Sequence, residues 1–497
     1  MQSINESYPR KPNAGTAAHK GWRQMRAFRL RVSERKFLLY FGDLTLVSVS
    51  LIMALVLRTS LVPELAVLLD AFKWFVTLAV VWTVVALMFD IYDLARAAST
   101  SHILWSSSIA TAVATVGYLF IPYLTPPLVN RSQAYLFVLF AVTGVTSWRF
   151  IYARFVVQPT FQRRALVVGA GQSGQALAEA LQSDYARRDA NPYRGTGYTL
   201  VGFVDDDLAR QNMRISGLDV FGDSQQLVRL ARTLAIDEII VAITHAHTIQ
   251  PALFEAILDC RELGIPIINM STIYERLTGR VAVEYASQNI ETATGSEQNS
   301  FIRVYYPAKR LVDMGSALIG LVVMLLLSPI VLLANALTSP GPLFYRQQRV
   351  GRGGRPFIVR KFRSMIPNAE EDSGAVWAKV EDDRVTPIGR LLRATHLDEL
   401  PQATNVLRGE MSLVGPRPER PEFVGELSRQ IVFYRARHCM RPGITGWAQI
   451  HQNYGDSVER AREKLEYDLY YVKHASFFLD SIIMLRTIMK VLGLRGR

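Results

Sequence analysis

Four apolar stretches of close to 20 residues follow a basic N-terminal arm and constrain the fold more than any other feature of this chain. They cover roughly 37–57, 74–92, 103–124 and 134–152, and each approaches the length that crosses the hydrocarbon core of a bilayer. None carries a repeating polar face, so a soluble helical bundle fits poorly. With 49% hydrophobic and 20% charged residues, the chain is neither disordered nor an ordinary cytosolic enzyme. We predict a four-helix transmembrane domain over 37–155.

The distribution of basic residues predicts the orientation of these helices. The arm, residues 1–36, holds nine basic side chains against two acidic ones and so carries +7 of the net charge of +13. Arg149, Arg154, Arg163 and Arg164 lie at the exit from the fourth stretch. Because cytoplasmic loops carry the excess of Lys and Arg, both ends of the bundle are predicted to be cytoplasmic. The polar start of the chain does not read as a cleavable signal peptide.

A second domain is predicted over 163–274, where strand-like and helical patterns alternate as in a parallel α/β sheet of the Rossmann-like kind. Gly169, Gly171 and Gly174 form G-x-G-x-x-G between the first strand and its helix, and Asp205 closes the second strand. This placement suits a nucleotide cofactor, although Gly174 and Asp205 are 31 residues apart, longer than the usual ~20. The alternative is a scaffold that retains its turn glycines.

The remainder is predicted to be a polar linker, 275–305, followed by a third domain over 306–497. Within it, 314–338 is apolar and is interrupted by Ser328-Pro329. A fifth span would place the basic run 346–363, which has seven basic residues and no acidic one, on the outer face, against the positive-inside bias. We therefore predict a re-entrant helix that turns at Ser328-Pro329 and returns to the same face. The basic run suits a lipid phosphate or a membrane-facing surface, and no nucleic-acid motif is present.

Candidate chemistry lies in residues 393–446. Asp398 and Glu399 are adjacent at the predicted end of a helix stopped by Pro401. Neighbouring helical residues diverge by ~100°, so one carboxylate can act as a nucleophile while the other holds a divalent cation. Taken alone, a solvated acidic pair is the simpler reading. Two rigid turns, 415–418 and 441–446, each present an arginine suited to a phosphate, and each is equally well a structural turn. Near 309–313, two cations and an acid either anchor the membrane helix or meet a lipid phosphate.

These motifs, taken in order, resemble those of the bacterial sugar transferases that load a hexose 1-phosphate onto a polyprenyl phosphate, the monotopic phosphoglycosyl transferases. The motif-bearing part covers about 309–473, and the preceding domains resemble those of the large subclass, typified by undecaprenyl-phosphate glucose phosphotransferases. The segments that carry the resemblance are Lys309-Arg310-x-x-Asp313, Ser339-Pro340-Gly341-Pro342, Lys361-Phe362-Arg363-Ser364-Met365, Leu397-Asp398-Glu399-Leu400-Pro401-Gln402, Val414-Gly415-Pro416-Arg417-Pro418 and Arg441-Pro442-Gly443-Ile444-Thr445-Gly446.

The resemblance implies a two-step reaction. Asp398 would attack the sugar-bearing phosphate of a UDP-sugar and release UMP, and undecaprenyl phosphate would then take the phosphosugar from Asp398. Glu399 would hold Mg²⁺ against the diphosphate. The remaining implied substrate-binding residues are Lys309, Arg310, Asp313, Lys361, Arg363, Pro416, Arg417, Pro418 and Arg441.

The resemblance further implies a multi-pass protein of the bacterial inner membrane, with both globular domains cytoplasmic, acting in the first membrane step of exopolysaccharide, capsule or O-antigen assembly. Glucose is the expected sugar and galactose the next candidate, and a homodimer is plausible. A membrane-tethered NAD-dependent oxidoreductase or epimerase is the competing reading. It predicts a Tyr-x-x-x-Lys pair after Gly174, whereas Tyr467-x-x-x-Tyr471 lacks the lysine.

Overall fold

The structure, a computed structural model, describes residues 32–57, 72–97, 103–126, 130–157, 162–182, 196–243, 250–285, 300–367, 369, 383–452 and 457–491. They belong to two compact units, one within residues 1–82 and 91–270 and the other within 83–90 and 271–497. Most of the predicted basic arm (1–31) and part of the predicted linker (286–299) lie outside the described residues.

The N-terminal apolar stretches form helices α1 (Val32–Val56), α2 (Phe72–Phe89), α3 (Ser108–Leu119) and α4 (Arg131–Ile151). By length and composition, α1, α2 and the helical run Arg131–Val156 can cross a membrane. The helical part of the third stretch is shorter, a π-helical turn at Ile103–Ser107 leading into the 12 residues of α3. The structure therefore supports three of the four predicted N-terminal spans at full length.

One buried ion pair joins α1 to α4. Arg149 donates to both carboxylate oxygens of Asp43, at 2.5 and 3.3 Å, and its remaining terminal nitrogen donates to the Ile91 carbonyl at 2.8 Å. The two side chains are 3% and 0% exposed. A charge is tolerated in an apolar bundle only when it is paired and hydrogen bonded. This pair explains how the two helices keep a charged residue each on an inward face.

The next part of the chain is the predicted parallel sheet. Strands β1 (Arg163–Val168), β2 (Tyr198–Val204), β5 (Glu238–Val241) and β6 (Ile267–Asn269) lie in the order β2-β1-β5-β6, and all neighbours are parallel. Helices α5 (Gln172–Leu181), α6 (Leu227–Thr233) and α7 (Pro251–Glu262) alternate with them. A hairpin of two antiparallel strands, each of two residues, follows β2: β3 (Arg214–Ile215) and β4 (Leu218–Asp219). The prediction of a parallel sheet is confirmed.

The predicted irregular linker is wrong for its described residues. Helix α8 spans Met270–Thr278, a 3-10 turn spans Val283–Tyr285, and the next helix already begins at Ser300. Val281 and Val283 are buried in one cluster with Leu427 and Leu465, and Arg280 pairs with Glu463 at 2.9 Å. These apolar and charged contacts order a segment whose polar composition alone indicates a loop.

Helix α9 is continuous from Ser300 to Thr338, with Pro307 and Pro329 inside it. It starts 14 residues before the predicted 314 and does not end at Ser328-Pro329. Ser328 Oγ donates to the Met324 carbonyl at 2.7 Å, one turn back, so the hydroxyl is satisfied within the helix beside the proline. Its residues Val304–Thr338 are long and apolar enough to cross a membrane, and large apolar side chains such as Ile319, Leu326 and Leu333 are exposed.

The rest of the second unit consists of strands and mostly short helices, some of which pack against α9. Met324 and Val331 of α9 share a buried cluster with Phe362 and Leu392. The elements are β7 (Phe344–Val350), β8 (Pro356–Phe362), α10 (Pro387–Ala394), a 3-10 helix at Leu397–Gln402, α11 (Ala403–Arg408), β9 (Ser412–Val414), α12 (Pro421–Gln430), a 3-10 helix at Tyr434–Cys439, β10 (Gly443–Thr445), α13 (Trp447–His451), α14 (Val458–His474) and α15 (Phe477–Val491).

Candidate active site

The adjacent carboxylates Asp398 and Glu399 lie on the 3-10 helix Leu397–Gln402 and are both buried. His396, with a left-handed φ of 55°, reverses the chain between α10 and this helix. Pro401 does not stop the helix as predicted. It lies inside the 3-10 helix, two residues before α11 begins at Ala403, where a backbone N–H is not needed for the α-helical ladder.

Two cations hold Glu399. Lys361 Nζ and Arg417 Nη2 each donate to Glu399 Oε1 at 2.7 Å. Burial opposes ionisation, but the charges and hydrogen bonds of Arg417 and Lys361 outweigh it and hold the pKa of Glu399 far below its usual range. Glu399 is therefore a permanent anion at physiological pH.

Asp398 is in a different electrostatic state. Asp398 is buried, with only 7% of its surface exposed, and its side chain accepts no hydrogen bond from the described part of the chain. Burial raises its pKa above the usual value, Lys361 lowers it, and the charge of Glu399 raises it further. A carboxylate with poor solvation and no hydrogen-bonded partner is more reactive than one clamped by two cations. The two adjacent carboxylates thus differ: Glu399 is fixed by two cations, whereas Asp398 is buried with a raised pKa.

Two glycine–proline turns are brought together by a short parallel strand pair, β9 with β10. The Gly415 amide donates to the Thr445 carbonyl and the Gly443 amide donates to the Pro416 carbonyl, both at 2.9 Å. A Cβ on Gly415 would lie 2.4 Å from the Arg441 carbonyl oxygen, and one on Gly443 would lie 2.1 Å from the Gly415 nitrogen. The turns approach so closely that neither glycine can carry a side chain without moving the backbone.

Arg417 projects from the first turn onto Glu399, but Arg441 lies in a different cluster. Burial lowers the pKa of Arg441, and the nearby charges of Arg310 and Arg352 lower it further. A Cβ on Gly409 would lie 3.6 Å from Arg310 Nη2 and 3.9 Å from Arg441 Nη2. A cluster of guanidinium groups around Arg441 favours an anion nearby.

The predicted residues at the start of the membrane helix are used as anchors. Lys309 Nζ donates to Asp480 Oδ2 at 2.8 Å, and Arg310 donates to the Val406 and Leu407 carbonyls at 2.6 and 2.8 Å. Asp313 Oδ1 accepts from Ser412 Oγ at 3.0 Å and from the Leu413 amide at 2.9 Å. Of the two readings of this motif, its contacts favour the structural one for Lys309 and Asp313.

Arg363 anchors the other end of the same helix. Its Nε donates to the Pro342 carbonyl at 2.8 Å and its Nη1 donates to Ser339 Oγ at 3.0 Å, while Nη2 donates to the Ser339 carbonyl. Lys361, two residues earlier on β8, points instead to Glu399. The predicted Lys-Phe-Arg segment therefore divides its two cations between the carboxylate pair and the exit from α9.

The predicted nucleotide loop in the other unit makes close contacts within itself and with Asp205. Gly169 has a φ of +103°, and a Cβ on Gly174 would lie 2.1 Å from the Gly169 carbonyl oxygen, so both glycines are required by the turn. Gly171 precedes α5 as its N-cap. Asp205 Oδ2 accepts from the Ala170 amide at 2.7 Å and from Arg210 at 3.2 Å. These contacts give Asp205 a structural role that the spacing did not indicate.

Sequence reasoning assigned no role to Arg437, Asp468 and Glu419, which lie behind the Arg417 turn. Arg437 is 2% exposed and donates to Asp468 Oδ2 at 2.6 Å. Glu419 accepts from Lys464, and despite burial the charges of Lys464 and Arg437 lower its pKa to about 2. No local pattern marks these residues, since they are far apart in the chain and meet only after folding.

Comparisons with known proteins agree on the second unit. Residues 304–494 match the bacterial sugar transferase family model, and residues 87–266 match a CoA-binding domain model. A UDP-N-acetylgalactosamine-undecaprenyl-phosphate N-acetylgalactosaminephosphotransferase of Aeromonas hydrophila is 43% identical over 236 residues, 47% of this chain and 54% of that protein. A UDP-glucose:undecaprenyl-phosphate glucose-1-phosphate transferase of Xanthomonas campestris pv. campestris is 33% identical over 318 residues, 61% of this chain and 62% of that protein.

A third relative is covered over most of its length. The UDP-glucose:undecaprenyl-phosphate glucose-1-phosphate transferase of Caulobacter vibrioides is 43% identical over 190 residues, 37% of this chain and 69% of that protein. The chain therefore spans between half and two thirds of the two longer relatives and more of the shorter one.

Proposed function

Because this chain belongs to the bacterial sugar transferase family, we propose that it transfers a sugar 1-phosphate from a UDP-sugar to undecaprenyl phosphate. The observation that carries the proposal is the electrostatic division between two adjacent buried carboxylates. Asp398 accepts no hydrogen bond from the described residues, and Glu399 is clamped by Lys361 and Arg417 at 2.7 Å each. A nucleophile and a fixed anion side by side suit the transfer of a phosphoryl group through a covalent intermediate.

In the first step, an Asp398 carboxylate oxygen forms a bond to the phosphorus that carries the sugar, and the bond from that phosphorus to UMP breaks. In the second step, a phosphate oxygen of undecaprenyl phosphate attacks the same phosphorus. The Asp398–phosphorus bond then breaks, giving undecaprenyl diphosphate-sugar and the free carboxylate. Phosphoryl transfer requires charge neutralisation and positioning more than covalent help, and Lys361, Arg417 and the Arg310–Arg352–Arg441 cluster supply cations for both.

The donor set suits Mg²⁺ in the manner of nucleotide enzymes. Within the described residues, no group of three acidic, histidine or cysteine side chains converges, and such sites commonly use one or two carboxylates with substrate phosphates and water. Glu399, which remains ionised, is the carboxylate that would hold the metal. Bound there, Mg²⁺ would neutralise charge on the diphosphate.

We propose that α9, which is continuous through Ser328-Pro329, is re-entrant by a bend at Pro329 and not by a break in the helix. Asp313 is hydrogen bonded to β9, and Ser339, 26 residues later, is hydrogen bonded to Arg363 beside β8. A helix that crossed a bilayer over this interval, about 39 Å at 1.5 Å per residue, would separate the two contacts by the membrane. Both ends instead meet one domain, which supports placing that domain on one side of the membrane. Its basic run, 346–363, favours the cytoplasmic side.

The donor sugar is proposed to be a hexose, with glucose as the first candidate. The Xanthomonas and Caulobacter relatives are named for glucose and the Aeromonas relative for N-acetylgalactosamine. The assay therefore compares UDP-glucose, UDP-N-acetylgalactosamine and UDP-galactose in one preparation. The product would be the first lipid-linked sugar of a surface polysaccharide.

The test uses the full-length protein in nanodiscs containing undecaprenyl phosphate, supplied with Mg²⁺ and a UDP-sugar. Wild type should release UMP, and without the lipid acceptor it should accumulate a sugar-phosphate adduct on the peptide that contains Asp398. Asp398→Asn should abolish both signals, whereas Glu422→Gln, an exposed acid on α12, should retain both. Normal turnover by Asp398→Asn, or an adduct on another side chain, would refute the mechanism.

A further inference from the structure

The backbone of the Arg417 turn is held at four consecutive carbonyl groups. The Pro416 carbonyl accepts from the Gly443 amide and the Glu419 carbonyl accepts from the Val350 amide, both at 2.9 Å. Between them, the Arg417 carbonyl accepts from Arg437 Nη2 at 2.9 Å and the Pro418 carbonyl from Arg349 Nη1 at 3.3 Å. Two of these four donors are arginine side chains reaching in from outside the turn.

Of the two arginines, Arg437 is the more deeply buried. The same Nη2 that donates to Arg417 also donates to Asp468 Oδ2 at 2.6 Å, and Nη1 donates to Tyr434 Oη at 2.9 Å. Glu419 Oε1 lies 3.9 Å from Nη1. Asp468 is 1% exposed, so the guanidinium is a buried cation whose charge is matched by buried acids. These partners hold the planar guanidinium group of Arg437 in one orientation.

We propose that Arg437 is a positioning residue for the transfer reaction, acting through Arg417. The proposal rests on the proposed function, because Arg417 matters only if Glu399 and Asp398 form the reacting site. The chain of contacts runs from Asp468 to Arg437, from Arg437 to the Arg417 carbonyl, and from the Arg417 guanidinium to Glu399 Oε1. Asp468 and Arg437 thus fix the base of a long side chain whose tip must meet a carboxylate beside the nucleophile.

The physical reason is the flexibility of arginine. Its side chain has several rotatable bonds, so a small shift of the backbone moves the guanidinium by more than the tolerance of a bidentate or charge-assisted contact. Arg437→Lys keeps the positive charge between Asp468 and Glu419, but its single nitrogen cannot occupy the positions of both Nη1, which donates to Tyr434, and Nη2, which donates to Asp468 and the Arg417 carbonyl. The variant therefore removes the hold on the turn while leaving the buried charge balanced.

The experiment is a double-mutant cycle measured with radiolabelled UDP-sugar in the nanodisc assay. We expect Arg437→Lys to lower kcat at least ~10-fold with less than ~3-fold change in KM for the UDP-sugar. In an Arg417→Lys background the same substitution should cost less than ~2-fold, because the guanidinium group through which it acts has already been replaced. A loss that multiplies fully with that of Arg417→Lys would overturn the proposal, since it would show general structural damage.

A matched control and a second readout keep the outcomes distinct. Arg280→Lys alters another arginine paired with two acids, Glu463 and Glu466, with no hydrogen bond to the turn, and should leave kcat unchanged. Hydrogen exchange of peptides covering 413–420 should accelerate in Arg437→Lys and not in Arg280→Lys. If wild type transfers no sugar phosphate, the proposed function fails, while unchanged exchange in this peptide overturns the positioning role independently.

A second variant covers poor folding of Arg437→Lys. Asp468→Asn retains an oxygen that accepts from Arg437 and removes only the charge, so we expect a ~3–10-fold loss of kcat that is again absent in the Arg417→Lys background. Full retention of kcat in Asp468→Asn together with additivity in the cycle contradicts the proposal.

Discussion

Gly415→Ala tests the close approach of the two turns at the candidate site. The added Cβ would lie 2.4 Å from the Arg441 carbonyl oxygen, 2.9 Å from the Gly443 nitrogen and 3.2 Å from the Pro442 carbonyl carbon. All three are backbone atoms, so no side-chain rotation relieves the overlap. The turns must separate, and Gly415 precedes Arg417 by only two residues.

The size of the effect follows from these distances. Ordinary contacts of a Cβ begin at 3.4 Å, so the backbone must move by about 1 Å to accept the methyl group. Overpacking of this kind costs typically ~1–3 kcal/mol of stability, and a displacement of ~1 Å near reacting groups can lower the rate ~100-fold. We therefore expect kcat/KM to fall about 100-fold and the free energy of unfolding to fall by about 1–3 kcal/mol.

The assay is UMP release over a range of UDP-sugar concentrations, with thermal unfolding of the same nanodisc samples. Gly425→Ala is the matched control, because Gly425 lies within α12 and a Cβ there meets no atom within 4 Å. That variant should keep wild-type kinetics and gain ~0.5–1 kcal/mol of stability from the better helix propensity of alanine.

Wild-type kcat/KM and an unchanged unfolding temperature in Gly415→Ala would refute the reasoning, because they would show that the two turns can separate at no cost. Equal losses in Gly415→Ala and Gly425→Ala would refute it as well, since only the first change crowds the site.

Three further predictions concern charge. Lys361 lowers the pKa of Asp398, so Lys361→Gln should raise that pKa and move the acid limb of the kcat/KM–pH profile to higher pH; a shift to lower pH contradicts the assignment. The pKa of Glu419 falls from 4.5 to about 2 on folding. Its contribution to stability is therefore complete above pH 4.5 and is lost as pH falls toward 2. Thermal unfolding measured over this pH range should show the loss in wild type and not in Glu419→Gln. Asp43→Leu should destabilise the N-terminal bundle by ~3–5 kcal/mol, and adding Arg149→Leu should restore most of the lost stability. Unfolding in detergent measures both variants. Equal instability of the single and double variants would argue against the ion pair.

Local patterns were sufficient for the elements whose core faces are continuous in sequence. The strands around 163–168 and 198–204 and the helix over 251–262 are found where the alternation of apolar segments and glycine turns predicts them. The helix breaks were less predictable. Pro329 and Pro401 both lie inside helical segments, so neither proline marks the end of its helix.

The segment 275–285 shows where composition misleads. Its polar residues favoured a linker, yet Glu275 accepts from Lys473 at 2.8 Å and Trp447 donates to the Gly279 carbonyl at 2.8 Å. These partners lie more than 160 residues away in the chain. A polar segment folds when another part of the protein supplies its partners, and this information is absent from the segment itself.

The linear chain alone determined which residues are apolar enough for a bilayer and where the parallel sheet lies. It also determined which short motifs hold the carboxylate pair and the two glycine turns. Hydrophobicity and backbone freedom are properties of neighbouring residues, so the sequence contains them directly. Only the tertiary structure decided what each charge does. It assigned Lys361 and Arg417 to Glu399, left Asp398 without a hydrogen-bonded partner among the described residues, and made Asp313 and Arg363 anchors. Coulombic and hydrogen-bond energies depend on distances between atoms, and folding sets those distances between residues far apart in the chain.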